Sequence, residues 1–375
     1  MIRLSESAPS LLDRRALNRA TLARQLLLRR DERSALQAIE HLAGLQAQAP
    51  NPPYIGLWTR LRDFRFDALT GHICERQVVR CAAMRSTLHL LSAADLLAFR
   101  PLLQPVHARG VQAAYGRQLA GVDLASLASA GRNLLDAQPL TSAELGRRLA
   151  ERWPDHDPQA LAQAVRAQVA LIHIPPAGTW DSHRPAALAT AAHWLGSPGI
   201  EAATPEVLIR RYLAAFGPAS AKDVSVWSGL TGLAGTLKQM PDLITFSDED
   251  GAVLFDLSEA PRPGPDVPAP PRLLPEYDNL LLAHADRRRM IADAHRAKVY
   301  TNNGIIRACV LIDGFVAGIW KLFSTDAVAQ VRIELFHDDV RKKDRLDLET
   351  EAMSLLMAAS PSAKTREVVF GTLSS

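Results

Sequence analysis

The stretch that decides the fold is TSAELGRRLAERWPDHDPQALAQAVRAQVALIHIPPAGTWDSHRPA, residues 141–186. Thr141 and Glu144, three residues apart, form a capping-box pair that predicts a helix over 142–153. The break PDHDP separates it from a second predicted helix over 159–170. A short strand, LIHIPP, and the turn-rich GTWDSHRPA follow. This order of helix, turn, helix, strand and wing predicts a winged helix-turn-helix.

The same order returns downstream, between residues 205 and 257. PEVLIRRYLAAFG predicts a helix with proline near its start and Gly217 at its end. Two short helices, SAKDVSVWSGL and TGLAGTLKQM, come next. LITFSDEDGAVLFDL alternates apolar and polar residues on both sides of an Asp-Gly turn, which predicts a β-hairpin. Two such patterns in tandem indicate repeated winged helices rather than one accidental match.

Upstream, most of the chain indicates helix. LNRATLARQLLLRR (17–30) carries an approximate helical stripe of leucines. SALQAIEHLAGLQAQAP (34–50) opens on the capping-box pair Ser34 and Gln37 and stops at Pro50, which predicts one helix between them. QVVRCAAMRSTLHLL (77–91) passes from a helix-like start into an extended stretch.

The C-terminal third has a different character. PRPGPDVPAPPR (261–272) is a stiff, proline-rich connector. Beyond it, RACVLIDGFVAGIWKLF predicts two strands around Asp313 and Gly314, and DLETEAMSLLMAA (347–359) predicts a helix that packs on their sheet. We therefore expect a mixed α/β domain over 273–375 within a mainly helical α+β protein.

Composition and charge are those of a globular protein that tolerates a polyanion. The 375 residues are 47% hydrophobic and 22% charged, with a formal net charge of +3. Basic clusters are separated along the chain, as phosphate contacts require, although ordinary solvated surfaces have the same pattern. These clusters are Arg14–Arg15, Arg29–Arg30, Arg287–Arg289 and Arg341–Lys343.

Several function classes lack their motifs in this chain. It contains no Walker loop, no GxGxxG, no HExxH and no GxSxG. The three cysteines, Cys74, Cys81 and Cys309, have neither disulfide nor zinc spacing. No stretch is apolar enough for a signal peptide or a membrane span. We therefore expect no metal, no cofactor, no membrane partner and a reducing, cytoplasmic location.

The stretch GLQAQAP is the anomaly within its predicted helix. Ile39 and Leu42 mark the inward stripe, and Gln46 continues it. A buried amide without a partner costs about 1–3 kcal/mol, so Gln46 must make hydrogen bonds or line a polar cavity. Gln48 follows near Pro50, which distorts the helix. Two interpretations are open: the glutamines cap the helix end, or both amides face one polar space.

Six blocks of the chain then make it similar to a known family. They are LNRATLARQLLLRR, LAGLQAQAPNPPYIGLWTRL, MRSTLHLLSAADL, RYLAAFGPASAKDVSVWSGL, LLPEYDNLLLAHADR and VLIDGFVAGIW. In this order they resemble the blocks of the AlkZ/YcaQ family of DNA glycosylases. Each block alone is a weak signal, whereas six in the right order across most of the chain are specific.

The resemblance implies three tandem winged helices around a DNA-binding channel. We expect the first over 1–130, with the catalytic motif, the second over 131–203 and the third over 204–260. The family motif is Gln-x-Gln in the AlkZ-like branch and Gln-x-Asp in the YcaQ-like branch. Gln46-Ala47-Gln48 matches the AlkZ-like form.

The resemblance also implies the reaction. That branch excises bulky or crosslinked N-alkylpurines, and some members give antibiotic producers self-resistance. Alkylation at guanine N7 makes the base a good leaving group, so Gln46 and Gln48 need only position a water for attack on the sugar. The motif holds no lysine for a Schiff base, so we expect a monofunctional enzyme that leaves an abasic site. The expected partner is double-stranded DNA with alkylated purines, and the expected state is a monomer.

Supporting residues carry weaker signals. Those in MRSTLHL either shape the site, bind phosphate or are purely structural, and the histidines elsewhere occur singly. The wing GTWDSHRPA is a candidate DNA contact, and the blocks LLPEYDN and ADRRR are candidate channel walls, although the first of these could equally hold a turn together. The candidates are Arg85, Thr87, His89, His183, Arg184, Asp278 and Arg287.

Two other function classes compete with a glycosylase. A non-catalytic winged-helix regulator is favoured by the fold, because most winged helices regulate genes. A drug-sequestering or protein-interaction scaffold is the second alternative. Breakage of alkylated DNA at abasic sites would separate the enzyme from both.

Overall fold

Our computed structural model describes residues 10–182, 184–196, 199–325 and 327–373. Polar side chains cap its first two helices, the second at the predicted Ser34, whereas the helix predicted over 17–30 spans Arg14–Arg24. Ser34 and Gln37 make both hydrogen bonds of a capping box, and Asp13 accepts one from the Ala16 amide. The elements of this part are β1 (Ser10–Leu12), α1 (Arg14–Arg24), α2 (Ala35–His41), β2 (Leu45–Gln46), α3 (Pro52–Trp58), α4 (Phe66–Cys74), β3 (Val78–Ala82), β4 (Leu88–Ser92) and α5 (Ala93–Tyr115).

The second predicted unit has the expected order of elements. The capping box of Thr141 and Glu144 is present, which confirms the predicted helix start. The predicted boundary at 130/131 falls inside a continuous helix, so no linker separates the first two units there. The elements are α6 (Leu124–Ala137), β5 (Leu140–Thr141), α7 (Ser142–Ala150), α8 (Pro158–Gln168), β6 (Leu171–His173), β7 (Ala187–Thr190) and α9 (Ala191–Leu195).

The third unit repeats the pattern and ends on the predicted hairpin. Its two strands pair antiparallel across a turn at Asp250 and Gly251, and Gly251 has a φ of 79°. The apolar faces of its helices pack with Leu91, Phe99 and Leu103 of the first unit in one core cluster. The elements are α10 (Pro205–Phe216), α11 (Ala221–Ser228), α12 (Leu233–Gln239), β8 (Leu243–Asp248) and β9 (Val253–Leu257).

The C-terminal part is the predicted mixed α/β domain. Its five-stranded sheet has the order β10-β11-β12-β13-β14, and Leu348, Ala352 and Leu355 of the long helix pack on it. The elements are β10 (Arg272–Leu274), α13 (Asp293–Val299), β11 (Cys309–Ile312), β12 (Phe315–Ser324), β13 (Val328–Leu335), α14 (Lys342–Ala359) and β14 (Thr365–Phe370). Taken together, these elements confirm the α+β fold class.

A six-stranded sheet joins the first two units, in the order β2-β4-β3-β6-β7-β5. Strands β3 and β6 meet antiparallel at the pairs Arg80–His173 and Cys81–Ile172. The sequence did not predict this junction. It places the Gln-x-Gln strand and the wing of the second unit on one continuous scaffold.

Helix α1 ties the third unit to the C-terminal domain. Arg24 makes a bidentate, fully buried ion pair with Asp256 of β9 at 2.6 and 2.8 Å. Arg15 and Arg19 bind Asp313 in the turn between β11 and β12. Among the described residues, no helix has both the length and the apolarity that crossing a bilayer needs.

The helix predicted over 34–50 is wrong beyond its second turn. Helix α2 ends at His41, and the chain leaves it through a Schellman motif. The Ala43 amide donates to the Glu40 carbonyl, and the Gly44 amide donates to the Ile39 carbonyl. Ala43 and Gly44 have φ angles of 53° and 92°. Gln46 therefore lies on strand β2, not on a helix. The helix-like start predicted at 77 is wrong too, because Val78–Ala82 is strand β3.

Candidate active site

Strand β2 places Gln46 at the edge of the six-stranded sheet. Gln46 pairs across the strands with His89 of β4 and is 7% exposed. Its side-chain Oε1 accepts a hydrogen bond from Nη2 of Arg85 at 2.6 Å. The sequence expectation that Gln46 is buried and makes a hydrogen bond is confirmed, although on a different element.

Gln48 is exposed beside it and faces the same segment. Its Oε1 accepts a hydrogen bond from the Leu88 amide at 3.0 Å, and the Ala47 amide donates to the Leu88 carbonyl at 2.7 Å. Neither glutamine caps α2, since that helix ends earlier. Both amide oxygens instead meet residues 85–88, so the structure brings the Gln-x-Gln pair together with the MRSTLH block.

Residues 84–87 form a strained turn before β4. Arg85 has φ 56° and ψ 16°, and Ser86 has a φ of 60°. Two consecutive left-handed residues with side chains cost about 1–3 kcal/mol each and persist only where surrounding contacts hold them. The Thr87 hydroxyl donates to the Met84 carbonyl at 3.0 Å, and Nη1 of Arg85 donates to the Trp227 carbonyl at 2.5 Å.

Arg80 of β3 holds the Gln-x-Gln backbone from behind. Its Nε donates to the Ala47 carbonyl at 2.8 Å and its Nη2 to the Gln48 carbonyl at 2.9 Å. Its Nη1 meets Nδ1 of His173 at 3.2 Å. Burial lowers the pKa of Arg80 to about 10, which leaves it protonated near neutral pH. Sequence reasoning missed this residue, although an arginine inside the apolar run QVVRCA was a usable signal.

Four arginines that lack acidic partners in the described part of the chain lie at the Gln-x-Gln strand or behind it. Burial lowers the pKa of Arg85 and of Arg100 to about 10, and Arg287 lowers that of Arg85 further. Arg166 is likewise affected mainly by burial. Within the described ranges, neither these arginines nor Arg80 has a carboxylate partner. Cations left unpaired in this way suit a polyanionic ligand.

His89 cannot act as an acid or a base near neutral pH. It is fully buried, and burial together with the charge of Arg85 lowers its pKa to about 3. Its Nδ1 lies 3.0 Å from the Thr87 carbonyl, and its Nε2 is buried without a described partner. The neutral side chain belongs to the residue opposite Gln46 in the strand pairing, which fits a role in shaping the site rather than in proton transfer.

Asp278 and Arg287 come from the C-terminal domain, and the structure separates their roles. Asp278 is buried and makes a bidentate ion pair with Arg60, with both distances 2.8 Å. The adjacent Asn279 donates to the Gly44 carbonyl at 2.8 Å, so this loop supports the turn before Gln46. The Arg287 guanidinium lies over the Tyr300 ring, 4.4 Å from its centroid.

The wing between β6 and β7 passes close to Arg80 of β3 and to the segment that follows the Gln-x-Gln motif. The Asp181 amide donates to Oδ1 of Asn51 at 2.8 Å, and Gly178 lies against the Arg80 side chain. Arg184 is exposed on this loop, and His183 lies outside the described residues. Across the described chain, His, Cys, Asp and Glu side chains form no group of three able to hold a metal ion.

Winged helices with unpaired arginines around a neutral amide pair define a DNA-acting protein, and comparison with known proteins gives its class. The family model described as DNA glycosylase AlkZ-like matches residues 39–357. The chain therefore belongs to the AlkZ-like family of DNA glycosylases. It is an enzyme that hydrolyses N-glycosyl bonds in DNA, which excludes the regulator and the scaffold as alternatives.

Two matches from Streptomyces sahachiroi, one to a curated protein and one to a solved structure, extend this comparison. The chain is 27% identical over 334 residues to an interstrand DNA cross-link repair glycosylase, covering 82% of this chain and 87% of that protein. The solved structure of DNA glycosylase AlkZ is similar with a TM-score of 0.80 at 22% identity. That match covers 96% of this chain and 100% of the other, and it shows that the two share a fold.

Proposed function

We propose that this glycosylase removes bulky or crosslinked N-alkylpurines, of the N7-alkylguanine type, with a water positioned by Gln46 and Gln48. The observation that carries the proposal is the convergence of both amide oxygens on one turn. Oε1 of Gln46 meets Arg85 and Oε1 of Gln48 meets the Leu88 amide. Amides held at one place are suited to orient one small molecule.

The chemistry requires little more than orientation. An alkylated purine carries positive charge and leaves readily, and the sugar passes through an oxocarbenium-like transition state. Each amide oxygen has a second lone pair, so the two oxygens together accept both protons of one water. A lone pair of the water oxygen then faces C1′ of the sugar. A neutral amide is too weak a base to activate water against an unmodified purine, which restricts the enzyme to cationic lesions.

The name of one relative and the exposure of the site support the proposed substrate class. One relative is named for interstrand cross-link repair, and Gln48 is exposed rather than enclosed. An open site accepts an adduct too large to be flipped into a closed pocket. We therefore include crosslink unhooking, and self-resistance to a genotoxic natural product, in the proposed role.

The proposed binding mode is a monomer on duplex DNA at the nucleoid. In this mode the units over 1–130, 131–203 and 204–260 form a channel for the duplex. Arg287, stacked on Tyr300, and the exposed Arg184 of the wing are the proposed phosphate contacts.

The test uses duplexes that carry N7-alkylguanine lesions of graded bulk, with abasic sites scored as strand breaks after alkali treatment. Gln46→Ala, Gln48→Ala and the double variant should lose about 10²- to 10⁴-fold in release rate while binding DNA normally. Gln330→Ala is the control, because that strand glutamine bonds Glu367 in the C-terminal sheet. Base release by the double variant at the wild-type rate would overturn the proposal.

A further inference from the structure

We propose that Arg85 is a positioning residue that fixes the orientation of the Gln46 amide and links it to the third winged helix. The inference rests on the proposed role of Gln46. One guanidinium makes both contacts, to Oε1 of Gln46 at 2.6 Å and to the Trp227 carbonyl at 2.5 Å. Trp227 lies in the last turn of α11, so the glutamine is tied to an element far away along the chain.

The chemistry of the two groups removes the usual ambiguity of a glutamine amide. A guanidinium has only donors, so the atom that faces it must be the amide oxygen. The Gln46 amide therefore cannot rotate by half a turn without placing its own N–H groups against a cation. Without this anchor, the terminal torsion of a glutamine is broad and roughly two-fold. An orientation fixed in advance is what a water-positioning group requires.

The surrounding contacts hold Arg85 in its strained conformation from two other sides. The Ser86 hydroxyl lies 3.1 Å from Nδ1 of the buried His107. Gly229, with a φ of +82°, packs so closely that an added Cβ would lie 3.3 Å from the Arg85 Cα and 2.8 Å from Val106. The turn is thus built to aim this one side chain.

Phosphate binding is the competing role for an arginine at this site. Both terminal nitrogens of Arg85 are already used by Gln46 and Trp227, which argues against it. Arg287 is close enough to lower the pKa of Arg85, and it has no ion pair among the described residues. Arg287 is therefore the better candidate for a phosphate contact, as proposed above, whereas Arg85 is committed to Gln46 and Trp227.

The experiment measures the single-turnover rate of base release at saturating enzyme, together with DNA affinity, on N7-alkylguanine duplexes. Arg85→Ala should lower the saturated rate by about 10- to 100-fold, as expected when a reacting group is misplaced, with affinity within about threefold of wild type. Arg85→Lys should recover part of the rate. Guanidinium ions at millimolar concentration should raise the rate of Arg85→Ala above a sodium chloride control of equal ionic strength. Arg210→Ala, which removes an arginine paired with Asp242 outside the site, should leave both the saturated rate and the affinity unchanged.

A double variant gives the sharpest outcome. If Arg85 acts through Gln46, adding Arg85→Ala to Gln46→Ala should cost no further rate, whereas an additive loss would overturn the proposal. A lower affinity with an unchanged saturated rate would make Arg85 a phosphate contact instead. If the thermal midpoint of Arg85→Ala falls together with its rate, and neither Arg85→Lys nor guanidinium restores the rate, Arg85 serves folding alone and the proposal is overturned. If Gln46→Ala itself retains full activity, the proposed function fails first, and the two failures are thereby distinguished.

Discussion

At the scale of single residues, the site is made of groups that do not titrate near neutral pH. The amides of Gln46 and Gln48 carry no charge, and Arg80 and Arg85 stay protonated with pKa values of about 10. His89 stays neutral because burial holds its pKa at about 3. In the proposed mechanism, such a site positions and polarises a water, and the charge on the damaged base supplies the activation.

The buried histidines should instead appear in the pH dependence of stability. His89 and His107 have folded pKa values of about 3, below the 6.5 of an exposed histidine. Between pH 6.5 and 3 the unfolded chain binds protons that the folded chain excludes. The free energy of unfolding should therefore fall as the pH falls, by up to about 1.4 kcal/mol per pH unit for each histidine. Urea unfolding of wild type at pH 5, 6 and 7 measures this slope.

The matched variants for that measurement are His89→Gln and His193→Gln. His89→Gln should reduce the slope of the unfolding free energy against pH by the contribution of one proton. His193→Gln, at an exposed position of α9, should leave that slope unchanged. An identical slope for wild type and His89→Gln would mean that His89 accepts a proton in the folded protein.

The sequence could locate these residues only in part. Gln46 attracts notice because a polar residue continues an apolar stripe, and the family resemblance assigns the pair its role. The contacts that orient the pair come from far along the chain: Arg80 lies 33 residues from Ala47, and Arg85 lies 142 residues from Trp227. No local pattern encodes such pairings, because they exist only once the sheet has assembled.

At the scale of elements, the turn between α2 and β2 decides where Gln46 points. The Asn279 side chain donates a hydrogen bond to the Gly44 carbonyl, and the Cα of Gly44 lies against β4. A Cβ there would meet Leu91 Cδ2 at 2.4 Å and the Leu90 carbonyl at 3.1 Å, in a backbone conformation with a φ of +92°. The turn therefore has no room for a side chain.

Gly44→Ala should therefore displace β2 and impair catalysis as well as folding. We expect a loss of about 1–3 kcal/mol in the free energy of unfolding, with a saturated excision rate at least about tenfold lower. Gly121→Ala is the control, since Gly121 has a φ of +83° but no atom within 4 Å of an added Cβ. Its cost should be limited to backbone strain, with normal activity. Equal losses of activity in both variants would refute a specific role for the Gly44 turn.

Element starts were easier to predict than element ends. The boxes at Ser34 and Thr141 are local in sequence, and both are present. The end of α2 was missed because its left-handed C′ position is Ala43, where a glycine would have marked the stop. The strand Val78–Ala82 was missed because a fully buried strand lacks the alternation that identifies an exposed one.

At the scale of the whole molecule, the charges divide into two sets. Helix α1 uses its arginines for buried or partly buried ion pairs that connect the third unit to the C-terminal domain. The arginines around the Gln-x-Gln strand have no such partners in the described chain. A small net charge of +3 thus conceals a local excess of positive charge where DNA would lie.

That division predicts which arginines govern the salt dependence of DNA binding. Each phosphate contact releases counterions, so the logarithm of the binding constant falls with the logarithm of salt concentration by about 0.9 per contact. Arg184→Ala, on the exposed wing, should reduce this slope by about one while leaving the excision rate at saturation unchanged. Arg210→Ala is the control, because that partly exposed arginine is already paired with Asp242. Fluorescence anisotropy on an undamaged duplex between 50 and 200 mM salt, roughly the range over which such contacts are resolved, measures both slopes. Equal reductions would show that DNA responds to the overall field of the protein, whereas a reduction confined to Arg184→Ala would place the wing on the phosphate backbone.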